Sequence, residues 1–378
     1  MVGGGCTGAS IAYHLACRGV DVLLLERGGL ASGPTGRSSA ILRQHYSLPL
    51  LVEMAVHGLR TYSSFEETVG SSSGFVRTGF VIGVAEHDRE KLAANVAMQR
   101  QHGVTTELLD PDDLERLDPR IATDGLALLC YEPEAGYCDP YLATAGFAAA
   151  AGRLGGRVVE GVAVRAVSAG RVETDSGPVA AETVVVAGGS WSVELVAPLG
   201  YALPVHAGRA QLGRFRLPAG FEPAPPTLAD FEQLFYLKPA EPGYLEVGSL
   251  DPRSAEEVVD PDRGPKSAAP AMLDRLAASL ARRLPALARG HWRGSWSSVY
   301  DVTPDWHPAI GCLPGEEKIL LAAGFSGDGF KLAPAVGLSV AELACDGDFQ
   351  TFDLGPLDPG RFARGELLEA RYGYSVIA

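Results

Sequence analysis

The sequence predicts an α/β fold, in which a Rossmann-like dinucleotide-binding domain with a parallel sheet is interleaved with a second, α+β domain built on an antiparallel sheet. Three observations predict it. A G-x-G-x-x-G motif opens the chain. The β-branched run at 183–187, which ends in two glycines, is typical of a buried parallel strand. The segments at 207–217, 234–237 and 244–250 indicate antiparallel strands of the second domain.

The opening motif consists of Gly3, Gly5 and Gly8, followed by a helical stretch, an apolar run and the acid Glu26. In a dinucleotide-binding turn the first glycine permits the tight turn, and the second lets the backbone approach a pyrophosphate. The third lets the helix pack against the sheet with its N-terminus directed at the phosphates. Glu26 stands where a carboxylate can accept hydrogen bonds from a ribose. The sequence therefore predicts a dinucleotide site.

The first strand of this unit is short, because only Met1 and Val2 precede Gly3. We expect either that the true start lies upstream or that a central strand has been lost. The first explanation is favoured, because loss of a central strand leaves unpaired backbone groups in the core.

The composition is that of an acidic globular protein, 46% apolar and 21% charged, with a formal net charge of −14. Such a chain repels phosphate groups, so nucleic-acid and anionic-membrane partners are not expected. No run of 18 apolar residues exists, so we expect no transmembrane segment. The six cysteines are scattered without a C-x-x-C pair, which predicts reduced thiols, no metal site and a cytoplasmic protein.

Periodicity and turn residues predict the remaining elements. Helices are expected over 48–67, 87–102, 110–117, 141–154, 268–284 and 331–345. Strands are expected over 75–84, 158–167, 170–175, 183–187, 207–217, 234–237, 244–250 and 318–323. No periodicity is evident in the tail that follows residue 345.

Six motifs in the same order resemble the D-amino-acid oxidase superfamily of flavoproteins. They are GGGCTGASIAYHLA from Gly3, RSSAILRQHY from Arg37, EPEAGY from Glu132, VAGGSW from Val186, TPDWHP from Thr303 and AGFSGDGFK from Ala323. The last is most similar to the sarcosine and dimethylglycine oxidases and dehydrogenases. The resemblance implies an FAD-binding domain of residues 1–74, 139–205 and 301–378. It implies a substrate (cap) domain of residues 75–138 and 206–300.

The resemblance implies FAD as the dinucleotide. The residues expected to bind it are Gly3, Gly5, Cys6, Thr7, Gly8, Glu26, Arg27, Arg37, Ser38, Ser39, Val162, Gly188, Gly189, Trp191, Gly324, Gly327, Asp328, Gly329, Phe330 and Lys331. In sarcosine-oxidase-like enzymes a cysteine two residues before an active-site tyrosine attaches FAD covalently. Here Ser298 stands two residues before the matching Tyr300, so we expect non-covalent FAD.

Arg43 is the main candidate for substrate binding, because it lies in an apolar context where a charge needs a partner. Its guanidinium can bind a carboxylate through two hydrogen bonds. The resemblance assigns the substrate carboxylate to Arg43 and Lys331; the alternative is two structural salt bridges. Tyr300, His45 and Tyr46 are further candidates for the same pocket, each with a purely structural alternative.

Related oxidases use a lysine near the flavin to promote reaction with O2, and ungapped matching places Glu246 at that position. Lys238 is close enough in sequence to supply the missing cation. The electron acceptor is therefore either O2 or an electron-accepting partner.

These observations predict FAD-dependent oxidation of the C–N bond of a small amino acid, N-alkylated or cyclic, to an imine by hydride transfer to the flavin. The first alternative is a D-amino-acid dehydrogenase. The others are a flavoprotein subunit of a multi-subunit dehydrogenase and a scaffold that has lost FAD.

Overall fold

A computed structural model describes residues 1–372 of the chain. Its α-helices are α1 (Cys6–Cys17), α2 (Pro49–Ser63), α3 (Phe65–Thr68), α4 (Arg89–Gln101), α5 (Pro111–Leu117), α6 (Pro140–Arg153), α7 (Ser192–Val196), α8 (Pro270–Arg283), α9 (Gly329–Asp346) and α10 (Arg361–Arg364). Among these residues no helix is long and apolar enough to cross a membrane.

The strands of the same part of the chain are β1 (Leu23–Glu26), β2 (Ile41–Leu42), β3 (Val76–Arg77), β4 (Phe80–Val84), β5 (Glu107–Leu109), β6 (Leu128–Glu132), β7 (Gly136–Tyr137), β8 (Arg157–Glu160), β9 (Val164–Ser168), β10 (Arg171–Thr174), β11 (Gly177–Ala180), β12 (Val184–Val186), β13 (His206–Arg216), β14 (Thr227–Asp230), β15 (Phe235–Pro239), β16 (Tyr244–Ser249), β17 (His291–Val302), β18 (Ala309–Leu313) and β19 (Glu316–Ala323).

The parallel strands form two groups that the N-terminal residues join. Strand β1 pairs with β8, and β12 pairs with β19, both in parallel, while β18 runs antiparallel along β19. Val2 forms parallel bridges to Leu25 of β1 and to Val186 of β12. Its N–H donates to the Val185 carbonyl at 2.9 Å, and the Gly3 N–H donates to the Leu25 carbonyl at 2.9 Å. The backbone at 2–3 therefore occupies the place of the expected first strand between β1 and β12.

Helices α1 and α9 pack on this sheet around a core of branched aliphatic side chains. The core includes Ile11, Leu24, Leu320 and Val340, each with at most 2% of its surface exposed. The two helices approach closely at Gly337, where an added Cβ would lie 2.2 Å from Ser10 Oγ. A small residue is thus needed where α9, which follows β19, crosses α1.

An eight-stranded sheet forms the other large layer, in the order β17-β13-β16-β15-β14-β4-β6-β5. All its neighbours are antiparallel except β14 and β4, which are parallel. Helix α8 covers one face through Leu276 and Leu280. It is also tied to β14 by Arg283, whose guanidinium bonds the Asp230 carboxylate at 2.8 Å with neither side chain exposed.

Two sequence predictions of strands need correction. The single strand expected over 158–167 is divided into β8 and β9, because Gly161 adopts a φ of 76° and turns the chain out of the parallel sheet. The strands that were not expected are β2, β5, β6, β7, β11, β14, β17 and β18, of which β17 has twelve residues. The other predicted helices and strands are present with boundaries shifted by a few residues. The division of the chain into two domains stays a prediction.

Candidate active site

A cavity of about 660 Å3 is lined by the start of α1, the ends of β1 and β12, strand β17 and the start of α9. Its lining also includes Tyr236 and Leu250 of the eight-stranded layer. The size lies within the range of about 300–1,000 Å3 that is usual for ligand and cofactor sites. Elements far apart in sequence therefore converge on one enclosed site.

Most of the residues predicted to bind the cofactor lie in this lining. They are Gly3, Gly5, Cys6, Thr7, Glu26, Arg27, Arg37, Ser38, Ser39, Val162, Gly188, Gly189, Trp191, Gly327, Asp328, Gly329, Phe330 and Lys331. Gly8 and Gly324 do not line the cavity. Gly8 packs instead on the turn before α1, and Gly324 donates its N–H to the Asp301 carboxylate at 2.7 Å.

The N-terminal turn fits a dinucleotide. An added Cβ on Gly3, whose φ is 108°, would lie 2.4 Å from the Ala187 carbonyl oxygen, and one on Gly8 would lie 2.0 Å from the Gly3 carbonyl oxygen. Only glycine permits this close crossing of the turn over β12. Cys6 and Thr7, the first residues of α1, face the cavity, so the positive end of the helix is available to phosphate groups.

Glu26 is held rigidly at the end of β1. One of its carboxylate oxygens accepts the N–H of Gly4 and the other accepts the N–H of Gly28, each at 2.7 Å. Gly4 itself has no room for a side chain, because an added Cβ would lie 2.8 Å from the Glu26 Cβ. The carboxylate is thereby fixed in the cavity lining, as recognition of a ribose requires.

Arg27 and Trp191 form a second cluster of the lining with Asp262. The Arg27 guanidinium lies 4.1 Å from the centre of the Trp191 ring and bonds the Asp262 carboxylate at 2.6 Å. The Trp191 indole N–H also donates to that carboxylate, at 3.2 Å. Asp262 belongs to the loop between β16 and α8, so this loop is fastened to the dinucleotide-binding turn.

Arg43 and Lys331 are brought together despite their separation in sequence. Arg43 Nη2 lies 3.2 Å from Asp328 Oδ1, and Lys331 Nζ lies 2.7 Å from the same oxygen. Arg43 also donates to the His45 carbonyl. All three charged side chains line the cavity and are at most 8% exposed. Two buried cations thus share one buried carboxylate.

The position of Lys331 depends on a missing backbone hydrogen bond in α9. Pro334 lies inside this helix and has no N–H, so the Phe330 carbonyl loses its helical partner. The Tyr62 hydroxyl of α2 donates to that carbonyl at 2.9 Å, and the Tyr62 ring stacks on the Phe330 ring with centres 4.9 Å apart. Helix α2 therefore fixes the turn that carries Lys331.

Burial controls the electrostatics of this cluster. It lowers the pKa of the Lys331 ammonium to about 8, although Asp328 acts in the opposite direction. Burial acts to raise the pKa of Asp328, but the charges of Lys331 and Arg43 outweigh it and hold that pKa below the usual value. Tyr300, which also lines the cavity, has its pKa raised to about 12 by burial and then by Asp328. Its hydroxyl is therefore protonated at neutral pH.

His45 and Tyr46 lie behind the cavity wall. The Arg43 guanidinium lies 4.4 Å from the centre of the buried Tyr46 ring, with which it makes a cation–π contact. His45 Nε2 lies 2.8 Å from the Tyr372 hydroxyl, and its Nδ1 lies 3.0 Å from the Gln99 amide. Burial, with Arg43 nearby, lowers the pKa of His45 to about 3, so its imidazole is neutral. Both residues contact Arg43 but neither faces the cavity.

Several cavity residues were missed by sequence reasoning. They are Thr35, Tyr236, Asp262 and Asp301. Thr35 Oγ1 accepts the Cys6 N–H at 3.2 Å, and the Tyr236 hydroxyl lies 2.9 Å from Ser39 Oγ. Burial raises the pKa of Asp301 to about 6. Asp301 directly follows Tyr300, which could have drawn attention to it; Tyr236 and Asp262 carry no comparable signal.

Lys238 and Glu246 form a cross-strand pair between β15 and β16, with Nζ 3.1 Å from the Glu246 carboxylate. The Lys238 ammonium also lies 4.1 Å from the centre of the Tyr137 ring. Neither Lys238 nor Glu246 belongs to the cavity lining. Lys238, the lysine considered for the reaction with O2, is therefore paired with Glu246, the residue that sequence matching places at that position.

A family model described as "FAD dependent oxidoreductase" (DAO) matches residues 1–343. The chain belongs to this family. The predicted superfamily, fold class, enzyme class and cofactor, FAD, are thereby confirmed, while the assignment of individual residues to the cofactor stays a prediction.

The chain is 31% identical to 4-methylaminobutanoate oxidase (formaldehyde-forming) of Paenarthrobacter nicotinovorans, over 96% of this chain and 45% of that relative. It is 27% identical to glycine oxidase of Geobacillus kaustophilus, over 94% of each. The crystal structure of L-proline dehydrogenase from P. horikoshii superimposes with a TM-score of 0.88 and 27% identity, covering 97% of this chain and 98% of that one. The chain thus spans about half the length of the first relative and nearly all of the other two.

Proposed function

We propose that this protein uses FAD to oxidise the C–N bond of a small amino acid, N-alkylated or cyclic, to an imine. The relatives above are named for 4-methylaminobutanoate, glycine and L-proline, and each of these molecules carries both an amine and a carboxylate. The observation that carries the proposal is the convergence of Arg43 and Lys331, two buried cations, on one wall of the FAD cavity. Such a pair is complementary to a carboxylate.

The residues of this chain would bind and orient the substrate. Bound FAD supplies a hydride acceptor for the carbon next to the amine. Arg43 and Lys331 would donate charged hydrogen bonds to the carboxylate, and the neutral Tyr300 hydroxyl is available as a further donor. Water hydrolyses the imine to a carbonyl compound and an amine.

The first test is the visible spectrum of the purified protein under anaerobic conditions, before and after addition of sarcosine, N-methyl amino acids, proline or D-alanine. We expect a yellow protein that is bleached by at least one N-alkyl or cyclic amino acid. Bleaching by D-alanine with no response to the others would indicate a D-amino-acid dehydrogenase. A colourless protein would support a scaffold without FAD.

The second test concerns the carboxylate. Arg43→Ala and Lys331→Ala should each raise KM by roughly tenfold to a hundredfold, because each removes a charged hydrogen bond worth about 1.5–3 kcal/mol. Arg18→Ala, which removes only an exposed ion pair with Asp346, is the control. Unchanged KM values in both cavity variants would contradict the assignment.

A specific observation favours an electron acceptor other than O2. The Lys238 charge is compensated by Glu246, so no free cation of this pair is available to stabilise superoxide as it forms. We therefore propose that a carrier protein or quinone accepts the electrons, as in a dehydrogenase or a flavoprotein subunit. Slow reoxidation on admission of air, with rapid reoxidation by an artificial quinone, is the expected result; rapid reaction with air would show an oxidase.

Non-covalent attachment of FAD and a cytoplasmic location complete the proposal. Ser298 lines the cavity two residues before Tyr300, and a serine cannot form the thioether expected from a cysteine there. Release of FAD on denaturation in acid would support this assignment. All six cysteines are free thiols, which suits a reducing compartment.

A further inference from the structure

Asp328 occupies the place that the proposed substrate carboxylate needs. Its Oδ1 accepts from both Lys331 Nζ, at 2.7 Å, and Arg43 Nη2, at 3.2 Å. The carboxylate reaches both cations because it lies at the N-terminus of α9, three residues before Lys331, and faces the cavity. The substrate and Asp328 therefore compete for the same hydrogen-bond donors.

The charges of the cluster match a zwitterion. Two cations and one carboxylate line this wall, so a substrate carboxylate can bond both cations while a substrate ammonium pairs with Asp328, and one positive charge remains in excess. Asp328 is 8% exposed, and removal of its cationic partners would leave a buried carboxylate without compensation. Such a group gains most from the proton of a neighbouring ammonium.

We infer that the substrate carboxylate displaces Asp328 from Arg43 and Lys331, and that the released Asp328 carboxylate accepts the proton of the substrate ammonium. This inference rests on the proposed function and identifies the substrate as an amino acid that enters in its zwitterionic form. Asp328 is then the catalytic base of the amine.

The step balances in atoms and electrons. The N–H bond of the substrate ammonium breaks, a carboxylate oxygen of Asp328 gains the proton, and the electron pair stays on nitrogen. That pair becomes the second bond of the C=N group as the hydride leaves the adjacent carbon for FAD. Asp328 returns its proton to solvent when the product departs and the two cations rebind its carboxylate.

Other titratable groups lie near this cluster, so the test must distinguish proton uptake by Asp328 from proton uptake by these groups. Burial raises the pKa of Tyr46 and Tyr300 and lowers that of His307, so these groups are neutral and unreactive near pH 6.5. Cys6 likewise has its pKa raised by burial. Glu132 and Asp301 are the main competitors, because burial raises the pKa of Glu132 to about 7, against the effects of the Gln44 N–H and Arg43, and raises that of Asp301 to about 6.

The test is calorimetric titration of the FAD-loaded enzyme with acetate at pH 6.5, in two buffers of different ionisation enthalpy. We expect uptake of about one proton per bound acetate, because displaced Asp328 becomes protonated. Asp328→Asn should abolish the uptake and bind acetate roughly tenfold or more tightly, since the internal competitor is gone. Glu132→Gln and Asp301→Asn, which change the two competing acids, should retain the uptake, and so should Asp346→Asn, which removes only an exposed ion pair with Arg18.

Two isosteric ligands test whether Asp328 recognises the positive charge of the substrate amine. Glycine betaine carries a permanent cation, and 3,3-dimethylbutanoate replaces its nitrogen with carbon. The wild-type enzyme should prefer betaine and bind it without proton uptake, and Asp328→Asn should lose the preference.

Acetate binding without proton uptake in the wild-type enzyme would overturn the inference, and this measurement needs no variant. A retained preference of Asp328→Asn for betaine would also overturn it. Failure of acetate to bind either the wild-type enzyme or Asp328→Asn would instead refute the carboxylate site of the proposed function.

Discussion

Lys331 shows how one side chain depends on its surroundings. An exposed lysine stays charged throughout the neutral range, whereas burial beside α9 lowers the pKa of Lys331 to about 8. A guanidinium, unlike an ammonium, keeps its charge at every accessible pH because of its intrinsic basicity. The two cations of the site therefore differ in their response to pH.

This difference predicts the pH dependence of carboxylate binding. In Asp328→Asn, where residue 328 takes up no proton, deprotonation of Lys331 removes a cation, so the affinity of the FAD-loaded enzyme for acetate should fall by roughly tenfold as pH rises from 7 to 9.5. The same variant combined with Lys331→Arg, which keeps its charge, should show a much flatter profile over the same range. Titration calorimetry across this range measures both; parallel loss of affinity in the two proteins would show that another group titrates.

Individual site residues were predictable where a charge stood in an unusual context. Arg43 in an apolar segment and Lys331 at the end of a glycine-rich motif could be selected from sequence alone. Their shared bond to Asp328 could not, because it depends on how α9 enters the sheet. The indirect role of His45 and Tyr46, which support Arg43 from behind, depends likewise on packing.

The glycine turn before α1 is the element on which we expect FAD binding to depend most directly. Gly8→Ala would place a Cβ 2.0 Å from the Gly3 carbonyl oxygen, and backbone must move to relieve the clash. Strain of about 1–3 kcal/mol should weaken FAD binding by roughly 5-fold to 150-fold. Fluorescence titration of the deflavinated protein measures the affinity.

Gly152→Ala is the matched control, since nothing lies within 4 Å of its added Cβ. This variant should bind FAD like the unmodified protein. Equal affinities in Gly8→Ala and the unmodified protein would show that the turn is not tightly constrained.

The packing of helix α8 against β14 depends on the buried ion pair between Arg283 and Asp230. Arg283→Met leaves Asp230 buried without its partner, and we expect a loss of about 3–5 kcal/mol in the free energy of unfolding. The neighbouring Arg282 pairs with Glu232 with 49% of its side chain exposed, so Arg282→Met should cost less than about 1 kcal/mol. Denaturant unfolding of the two variants compares them directly, and similar losses would contradict this account.

Helices with strong local patterns were predicted well, whereas several strands, among them the twelve-residue β17 and the four-residue β14, were not. The helices α2, α6, α8 and α9 follow from apolar periodicity and from proline near their first turns or past their ends. Strand β14 has four residues and runs parallel to β4, which lies far away in sequence. Its existence depends on that tertiary pairing, so local sequence contains little signal for it.

Elements from both large sheets of the molecule meet at the cofactor cavity. The cavity lining draws on the parallel sheet, the eight-stranded sheet and the loops between them. FAD that binds only the folded state must stabilise it by an amount set by its concentration and affinity.

Removal of FAD should therefore lower the melting temperature. With free FAD at 100 times its dissociation constant the stabilisation is about 2.7 kcal/mol, which corresponds to a shift of roughly 5 °C. Calorimetry of the loaded, deflavinated and reloaded protein measures it, and reloading should restore the original value. An unchanged melting temperature would mean that the cavity is rigid without its cofactor and that binding is weak.

The lining of the cavity begins at Val2 and includes Lys331, so it spans nearly all of the chain. During synthesis the glycine turn leaves the ribosome early, but its facing walls are made much later. Strand β19 and helix α9, which complete the sheet and supply Lys331, come last among the lining elements. The proposed FAD site can therefore be complete only after synthesis has passed Lys331, so we expect the yellow colour to appear only beyond that point.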